Sequence, residues 1–251
     1  MAKKKKHLRF KSVLFILLFG YLLFMAGYYI YKLPVKNIYI TGNSILTDQE
    51  IIDASKLKSY PSIHKYSSHK IASNIKKLDL VDKVKVRKNI FGKVTIQITE
   101  AKPLFYYRND NKTYLSNGKS VNDNTYVGIP IIINYVPSKI LKDIISSFSE
   151  LNDDVVNQVS EIEYAPDEKE GIVLDENRFL FRMNDTNQVY IDTINIAKLN
   201  SYQKIVAALD DGVHGYIYLN SNRDNASFKA FDEKQAEEEQ PEDKKEEENE
   251  N

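Results

Sequence analysis

The 251-residue sequence contains no cysteine and no tryptophan, and it has only nine glycines. Without cysteine, the chain has no disulfide, no thiolate ligand for a metal and no cysteine nucleophile. The few glycines form no phosphate-binding loop, and no serine lies in a nucleophile-elbow sequence. The folded parts must therefore be stabilised by their hydrophobic cores, and the sequence predicts no cofactor.

Residues that often carry acid–base or metal chemistry are poorly spaced for it. His64 and His69 lie five apart in a polar stretch, without a third histidine or a carboxylate at ligand spacing. The acidic pair Asp153-Asp154 falls at a predicted helix end, where such residues are expected in any case. We therefore predict no catalytic residue and no metal site, and a protein that is not an enzyme.

The chain also lacks an excess of charge, because 35 Lys or Arg balance 35 Asp or Glu. Residues 1–32 nevertheless hold seven basic and no acidic side chains, whereas residues 232–251 hold three basic and eleven acidic ones. Between them, the 25 basic and 24 acidic residues of 33–231 predict no large surface for nucleic acid. The segment 221–251 is predicted to be a disordered acidic tail. It is either a plain solvated extension or a regulatory segment.

One long hydrophobic run is present, the uncharged segment 12–31. A helix of 20 residues spans about 30 Å, which matches the hydrocarbon thickness of a bilayer. A cleaved signal peptide has a shorter apolar core and small residues before its cleavage site, where Phe24 or Met25 would stand here. We therefore predict an uncleaved transmembrane helix over residues 12–31, with the lipid bilayer as its partner.

The residues on either side of this helix predict its orientation. Six Lys or Arg precede it within residues 1–11, whereas only Lys32 and Lys36 follow closely. By the positive-inside rule, the basic tail 1–11 lies in the cytoplasm and the C-terminal part lies outside. Three tyrosines occupy the position of an outer aromatic belt: Tyr28, Tyr29 and Tyr31. The sequence thus predicts a single-pass protein of the cell membrane.

Hydrophobic periodicity changes repeatedly between residues 33 and 102. An alternating strand comes first, and the capping box Thr-Asp-Gln-Glu at residues 47–50 then starts a helix. Apolar residues at helical spacing over 71–78 predict a second helix. Two strongly alternating strands follow, around 83–87 and 93–99. The order strand, helix, helix, strand, strand predicts a small α+β unit with its helices on one sheet face.

This arrangement is similar to that of a known family. A basic tail, a spanning helix, "VKNIYITGNSILTDQEI", two helices and "VDKVKVRKNIFGKVTIQITEAKPLFYY" resemble the POTRA (polypeptide-transport-associated) domain of the bacterial division proteins FtsQ and DivIB. The chain departs from the family at Phe91-Gly92, where proline is frequent, and at Glu100-Ala101, where Glu-Arg is common. The resemblance covers most of the chain.

The resemblance implies a bitopic scaffold of the divisome, located at the division septum. It also implies binding to the ectodomains of FtsL and DivIC, whose counterpart in other bacteria is FtsB, and a role in controlling septum formation and septal peptidoglycan synthesis. Contacts with septal peptidoglycan synthases are left open. Two alternatives remain: a membrane-anchored cell-wall hydrolase, and a POTRA protein of another export or assembly system.

Residues 103–220 are predicted to form a second, mixed α/β domain with an antiparallel meander. Ser138 is predicted to cap a helix with apolar residues on one stripe, and Asp192 is predicted to cap a last helix. Short strands separated by polar turns form the predicted meander: Ile172 to Leu174, Phe179 to Met183 and Val189 to Ile191. The final predicted strand runs from Gly215 to Leu219.

This final strand is the candidate partner-binding element. Polar residues follow it directly, so nothing in the sequence requires its outer edge to be paired, and an open edge can accept a strand from another chain. The exposed face of the last predicted helix is expected to support it. The candidate residues are Tyr216, Ile217, Tyr218, Leu219, Lys198 and Tyr202. In the alternative interpretation this strand is internal and its tyrosines belong to the core.

Overall fold

The computed structural model describes residues 10–210, 212–219 and 226–231. Most of the predicted basic tail, and the predicted acidic tail from residue 232 onward, lie outside the described residues. The chain divides into two compact units, Met1–Ala101 and Lys102–Asn251, each with its own hydrophobic core. The predicted α+β class, with an apolar N-terminal helix, a small unit of helices and strands and a larger β-rich unit, is confirmed.

The first element is helix α1, Phe10–Lys32, which is 23 residues long. Its segment Lys11–Lys32 has a mean hydropathy of 2.2 and is long and apolar enough to cross a membrane. None of its side chains is buried against the rest of the chain. The large apolar side chains of the helix are therefore free to contact lipid.

The remainder of the first unit has the predicted order of elements. They are strand β1 (Asn37–Thr41), helices α2 (Asp48–Ser55) and α3 (Ser68–Ile75), and strands β2 (Val81–Lys88) and β3 (Lys93–Glu100). The sheet order is β1-β3-β2, with β1 parallel and β2 antiparallel to β3. Thr47 and Glu50 form the predicted capping box at the start of α2. Ser67 caps α3.

The core of the first unit lies between its helices and one face of its sheet. Ile51 of α2 and Ile71 and Ile75 of α3 are almost fully buried, as are Val94 and Ile96 of β3. The period of two in β3 places its apolar residues on the face that the helices cover. Burial of these side chains stabilises the unit by about 1.5–3 kcal/mol each, before conformational entropy is subtracted.

The second unit is built on one large sheet. Its strands are β4 (Pro103–Tyr107), β5 (Lys112–Leu115), β6 (Ser120–Val121), β7 (Ile131–Ile132), β8 (Val159–Tyr164), β11 (Arg178–Met183), β12 (Gln188–Asp192), β13 (Gly215–Tyr218) and β14 (Ser227–Ala230). Their order is β14-β13-β12-β11-β8-β7-β4-β5-β6. Two further strands, β9 (Asp167–Lys169) and β10 (Ile172–Asp175), form a separate hairpin.

Helices cover one face of this large sheet. They are α4 (Ser138–Phe148), α5 (Asp153–Val156), a 3-10 helix (Ile196–Ser201) and α6 (Tyr202–Val206). Phe148 of α4 packs edge-on against Phe105 of β4 and Phe181 of β11, with ring centroids 5.8 and 6.1 Å apart. Ile191 and Ile217 extend this core beneath the 3-10 helix and α6. The apolar stripe of α4 is therefore the main contact of the helical layer with the sheet.

The structure differs from the sequence prediction in three elements of the second unit. Ile172 to Leu174 form the separate hairpin instead of joining the meander, and they remain 52–65% exposed. Asp192 accepts hydrogen bonds from the backbone N–H groups of Ile194 and Asn195, so it closes a turn instead of capping an α-helix. The following residues begin as a 3-10 helix. The sheet is also mixed, because β12 and β13 pair in parallel.

Candidate partner-binding surface of the second unit

The candidate binding strand is internal to the sheet, which contradicts the prediction that its outer edge is open. Strand β13 pairs with β12 on one side and with β14 on the other, from Gly215↔Ala230 to Tyr218↔Ser227. The chain returns after residue 225 to add β14, so the prediction of a disordered tail over 221–251 is wrong for residues 227–230. This four-residue strand carries too little pattern to be predicted from sequence. The backbone of Tyr216 to Tyr218 is therefore already paired on both sides.

The side chains of the candidate strand point alternately to the two faces of the sheet. Ile217 and Leu219 are 0% and 3% exposed and belong to the core. Tyr216 and Tyr218 are half-buried on the opposite face. The structure thus places two of the four candidate residues on an accessible face and two in the interior, as the period of a strand requires.

An aromatic cluster covers the accessible face at this end of the sheet. Tyr190 of β12 stacks on Tyr216 and Tyr218, with ring centroids 5.8 and 5.2 Å apart, and Phe231 meets Tyr216 edge-on at 4.9 Å. The Arg178 guanidinium lies 4.8 Å from the Tyr190 ring centroid, on the far side of the cluster from Phe231. Desolvation, and then the neighbouring Tyr216, raise the pKa of the Tyr190 hydroxyl. The cluster presents aromatic surface with hydroxyl groups, a combination enriched at protein interfaces.

A charged group lies on the same face, two strands further in. Arg182 of β11 donates to Glu161 and Glu163 of β8 at 3.3 and 2.7 Å, and all three side chains are about one-third exposed. Their cross-strand positions keep both carboxylates within reach of one guanidinium. The face therefore changes from aromatic near β13 to charged near β8.

Strand β14 is the last strand of the sheet on this side among the described residues. The N–H of Phe231 donates to the carbonyl of His214 at 3.0 Å, which fixes the register of hydrogen bonds between β14 and β13. Bonded pairs alternate along an antiparallel ladder, so Lys229 is bonded to β13 while the backbone groups of Phe228 and Ala230 point away from it. The outer edge of β14 can therefore offer these groups to an added strand.

Gly215 allows β14 to lie close to β13. A Cβ atom at this position would lie 2.2 Å from the carbonyl oxygen of Lys229 and 2.7 Å from the Cα of Ala230. Any side chain would therefore push the end of β14 outward. The N–H of Gly215 also donates to the Asn187 side chain at 3.0 Å, which ties the start of β13 to the turn before β12.

The two helical candidate residues are not part of this face. Tyr202 is 1% exposed, and its hydroxyl donates to the Asp185 carboxylate at 2.8 Å, so the prediction that Tyr202 is exposed is wrong. Burial, and then this hydrogen bond, raise the pKa of the Tyr202 hydroxyl. The 3-10 helix shifts the positions that face inward, which places Tyr202 in the core with Leu199. Lys198 is exposed, but it lies on the helix-covered side of the sheet, opposite Tyr216 and Tyr218.

A further exposed apolar surface was not identified from the sequence. Ile172, Val173 and Leu174 of β10 are exposed. Tyr135 and Ile194 are exposed as well, with 65% and 79% of their surface accessible. The hairpin that contains β10 connects β8 to β11, Tyr135 follows β7 and Ile194 follows β12, so all five residues lie near the same end of these strands. The run Ile-Val-Leu could have indicated an exposed apolar surface, but a continuous apolar run is equally typical of a buried strand.

No cluster of three or more His, Cys, Asp or Glu side chains that could hold a metal ion occurs in the part of the chain that the structure describes. His64 and His69 are both exposed. The His64 ring stacks on Tyr31 at 5.9 Å, and His69 lies in the first turn of α3. Among the described residues, therefore, neither histidine belongs to a group that could hold a metal ion.

Comparison with known proteins identifies the family. The POTRA domain of FtsQ type matches residues 33–101. The cell division protein DivIB of Listeria monocytogenes serovar 1/2a is 31% identical over 223 residues, covering 86% of this chain and 80% of that protein. DivIB of Bacillus subtilis strain 168 is 28% identical over 231 residues, covering 86% and 83%.

The comparison also matched a solved structure, the major extracytoplasmic domain of the trans isomer of DivIB from Geobacillus stearothermophilus. The match has a TM-score of 0.36 and a sequence identity of 24%, and it covers 46% of this chain and 98% of the solved one. The identity to the Listeria protein extends from the first unit through most of the second. With its POTRA unit and this similarity over most of its length, the chain belongs to the DivIB family of bacterial cell division proteins.

Proposed function

We propose that this chain is a non-enzymatic, bitopic scaffold of the division machinery that binds other membrane proteins of the divisome outside the cytoplasm. Its membership of the DivIB family supports a role in cell division. An apolar helix that can anchor the chain and a β-rich unit with an accessible edge support binding at a membrane. The partners are proteins resembling FtsL and DivIC, and through them the chain helps to control septum formation and septal peptidoglycan synthesis.

The outer edge of β14 is the observation that carries this proposal. The outward backbone groups of Phe228 and Ala230 can pair with one strand of a partner's ectodomain, while Tyr216 and Tyr218 beside them contact its side chains. Backbone pairing contributes affinity, and the aromatic face contributes selectivity. The partner site therefore moves from β13, where the sequence placed it, to β14 together with the aromatic face.

Replacement of Ala230 by proline tests the strand pairing. Ala230 is exposed and its N–H points away from β13, so Ala230→Pro removes an outward donor without breaking the sheet. We expect the affinity of the full chain for co-purified DivIC- and FtsL-like partners to fall about tenfold, which is the equivalent of about one hydrogen bond. Ala230→Val keeps the N–H and should bind normally. Normal binding by a folded Ala230→Pro variant would exclude pairing at this edge.

The proposed topology places residues 1–11 in the cytoplasm and both folded units outside. The chain contains no cysteine, so a single cysteine introduced at Ala2 or Ser73 reports one position only. In intact cells stripped of their outer wall layers, a membrane-impermeant thiol reagent should label Ser73→Cys and should label Ala2→Cys only after permeabilisation. The reverse pattern contradicts the orientation.

Two further experiments test the cellular role. A fluorescent fusion should concentrate at midcell in dividing cells, and a uniform distribution around the envelope would contradict the septal location. Full chain incubated with peptidoglycan should release no soluble muropeptides. Their release, abolished by a point substitution, would instead support the cell-wall hydrolase considered from the sequence.

A further inference from the structure

The POTRA unit is joined to the anchor helix by a short and strongly bonded connection. Only four residues, 33–36, separate α1 from β1. The N–H of Val35 donates to the carbonyl of Pro61, and the N–H of Ile63 donates to the carbonyl of Leu33, at 2.9 and 2.8 Å. The loop around Pro61 to Ile63 is therefore held against the segment where the chain leaves the membrane.

This loop also reaches the last turn of the helix itself. The Ser62 hydroxyl donates to the carbonyl of Tyr31 at 2.5 Å, and the His64 ring stacks on the Tyr31 ring with an interplanar angle of 12°. Tyr31 closes the uncharged run, so it lies at the boundary between hydrocarbon and headgroups when the helix spans the bilayer. His64 and Ser62 therefore lie at the level of the headgroups.

The turn between β2 and β3 lies at the same level. The Gly92 carbonyl accepts hydrogen bonds from the N–H groups of Lys36 and Asn37 at 2.8 and 3.3 Å. A Cβ at Gly92 would be 2.6 Å from the carbonyl oxygen of Pro34. Pro34 is two residues beyond the helix, hence at most about 7 Å further along the chain. That distance is within the polar layer of a bilayer, which is about 5–8 Å deep on each side.

The tip of this turn has the composition of a membrane-contacting segment. Ile90 and Phe91 are 61% and 72% exposed, and Tyr60 on the neighbouring loop is 52% exposed. The β2–β3 turn projects past the ends of both strands, so these apolar side chains extend from the end of the sheet that adjoins the anchor. An aromatic and an aliphatic side chain at headgroup depth favour partition into the interface.

The charges around this tip have one sign. The three segments that meet there, 31–37, 60–66 and 87–93, carry six Lys or Arg and no Asp or Glu. Lys88 is directed inward, where its ammonium group donates to the carbonyls of Ile63 and Tyr66 at 2.6 Å. The other five are Lys32, Lys36, Lys65, Arg87 and Lys93, all of them exposed. A basic surface of this kind is complementary to acidic phospholipid headgroups.

We propose that the POTRA unit lies on the outer surface of the membrane, with Ile90 and Phe91 inserted at the headgroup boundary and the surrounding basic residues against lipid phosphates. The inference rests on the proposed function only in requiring α1 to remain in the bilayer. It assigns the β2–β3 turn to lipid, as distinct from a partner protein, because this turn is hydrogen-bonded to the segment that follows the anchor helix and is surrounded by basic residues only.

The test places an environment-sensitive fluorophore on a single cysteine of the full chain reconstituted into vesicles. Ile90→Cys reports the turn and leaves Phe91 in place. Ile45→Cys is the matched control, because Ile45 is also exposed but follows β1 at the opposite end of the same sheet. Vesicles contain phosphatidylcholine alone or with phosphatidylglycerol, and a nitroxide-labelled lipid acts as a shallow quencher.

We expect the probe at position 90 to emit at shorter wavelength and to be quenched at least twofold more than the probe at position 45. Quenching should increase with phosphatidylglycerol and fall when Phe91→Asp is added. Equal quenching at both positions would overturn the inference, as would protection of position 90 only after a partner protein is added. A chain that fails to float with the vesicles would overturn the anchor as well, whereas a floating chain with position 90 in water contradicts this inference alone.

Discussion

Glu100 ties the end of β3 to the loop before α2. Its carboxylate accepts hydrogen bonds from the N–H groups of Ser44, Ile45 and Leu46 at 2.8–2.9 Å, and from the Ser44 hydroxyl at 2.7 Å. Partial burial acts to raise the pKa of Glu100, but these hydrogen bonds outweigh it, so the pKa lies below its usual value. The resulting stabilisation is present above the unfolded pKa of about 4.3 and is lost as pH falls through the lower folded pKa.

Replacement of Glu100 by glutamine keeps an acceptor but removes the charge. We expect Glu100→Gln to lower the free energy of unfolding of the POTRA unit by about 1–2 kcal/mol at pH 7. The free energy of unfolding of both chains is measured by urea titration, with hydrogen exchange of residues 44–55 as the readout. The effect should be smaller at pH 3 than at pH 7, because the stabilisation by the native carboxylate is lost as pH falls through its lowered pKa. The exposed substitution Glu168→Gln is the control, and an effect of the same size at both pH values would contradict this account.

Tyr202 provides a second prediction, at the residue that the sequence placed on the surface. Tyr202→Ala removes a buried ring and should cost about 3–5 kcal/mol of stability. Tyr202→Phe keeps the ring, removes the hydrogen bonds of the hydroxyl with Asp185 and Asn187, and should cost about 1 kcal/mol. Thermal unfolding of the full chain measures both. Lys198→Ala is exposed and should change stability by less than about 0.5 kcal/mol. A Tyr202→Ala variant as stable as Lys198→Ala would contradict the burial of this ring.

The carboxylates of Glu50 and Glu100 both accept hydrogen bonds from backbone N–H groups, but only the contact of Glu50 could be predicted from the sequence. The Thr47–Glu50 capping box could be predicted because both of its hydrogen bonds join residues three apart in the chain. The contact between Glu100 and Ser44 spans 56 residues, and no local pattern contains it. The inward position of Tyr202 was missed for a similar reason, since it depends on a 3-10 turn that hydrophobic spacing does not distinguish from an α-helix.

Among the elements, the strands of the two units differ in how well the sequence predicted them. Strands β2 and β3 are eight residues long and alternate strongly, so both their existence and their buried faces followed from the period of two. Strand β14 is four residues long, and its place beside β13 is set by pairing after an intervening turn. The order of strands, and with it the location of the accessible edge, therefore required the structure.

Gly215 gives a prediction about the edge element. Because a Cβ there would overlap the Lys229 carbonyl, Gly215→Ala should separate β14 from β13 while the core beneath Ile217 stays folded. Hydrogen exchange of residues 227–231 should accelerate at least tenfold, and partner affinity should fall with it. Gly27→Ala, in α1 with open space around it and no positive φ, is the control for the loss of a glycine. Unchanged protection of β14 would contradict the close approach.

For the whole molecule, charge is distributed unevenly along the chain. The N-terminal segment 1–32 is basic, the C-terminal segment 232–251 is acidic, and residues 33–231 are balanced. Residues 232–251 hold eleven of the 35 acidic side chains, so deleting them changes the net charge from 0 to +8, with 32 basic and 24 acidic residues remaining. Residues 33–231, with 25 basic and 24 acidic side chains, are unaffected by this deletion and stay near neutrality when taken together. The acidic segment is therefore expected to contribute to solubility more than to recognition.

Deletion of residues 232–251 tests this expectation. Partner affinity of the shortened chain should equal that of the unaltered chain within about twofold at both 50 mM and 200 mM salt. Two salt concentrations are used because salt screens long-range charge effects. A deletion that alters affinity only at low salt would assign the segment a regulatory, charge-based role. The unaltered chain, which retains the segment, serves as the reference.

The stiff join between α1 and the POTRA unit has a mechanical consequence. Residues 33–36 are bonded to both the Pro61 loop and the Gly92 turn, so they cannot act as a swivel. Rotation of the helix about its own axis must carry the three-stranded sheet round with it. A protein that packs against one side of a membrane-spanning α1 would therefore also set the direction in which this sheet faces outside the bilayer. A contact between helices in the membrane would in this way orient the POTRA unit towards its partners.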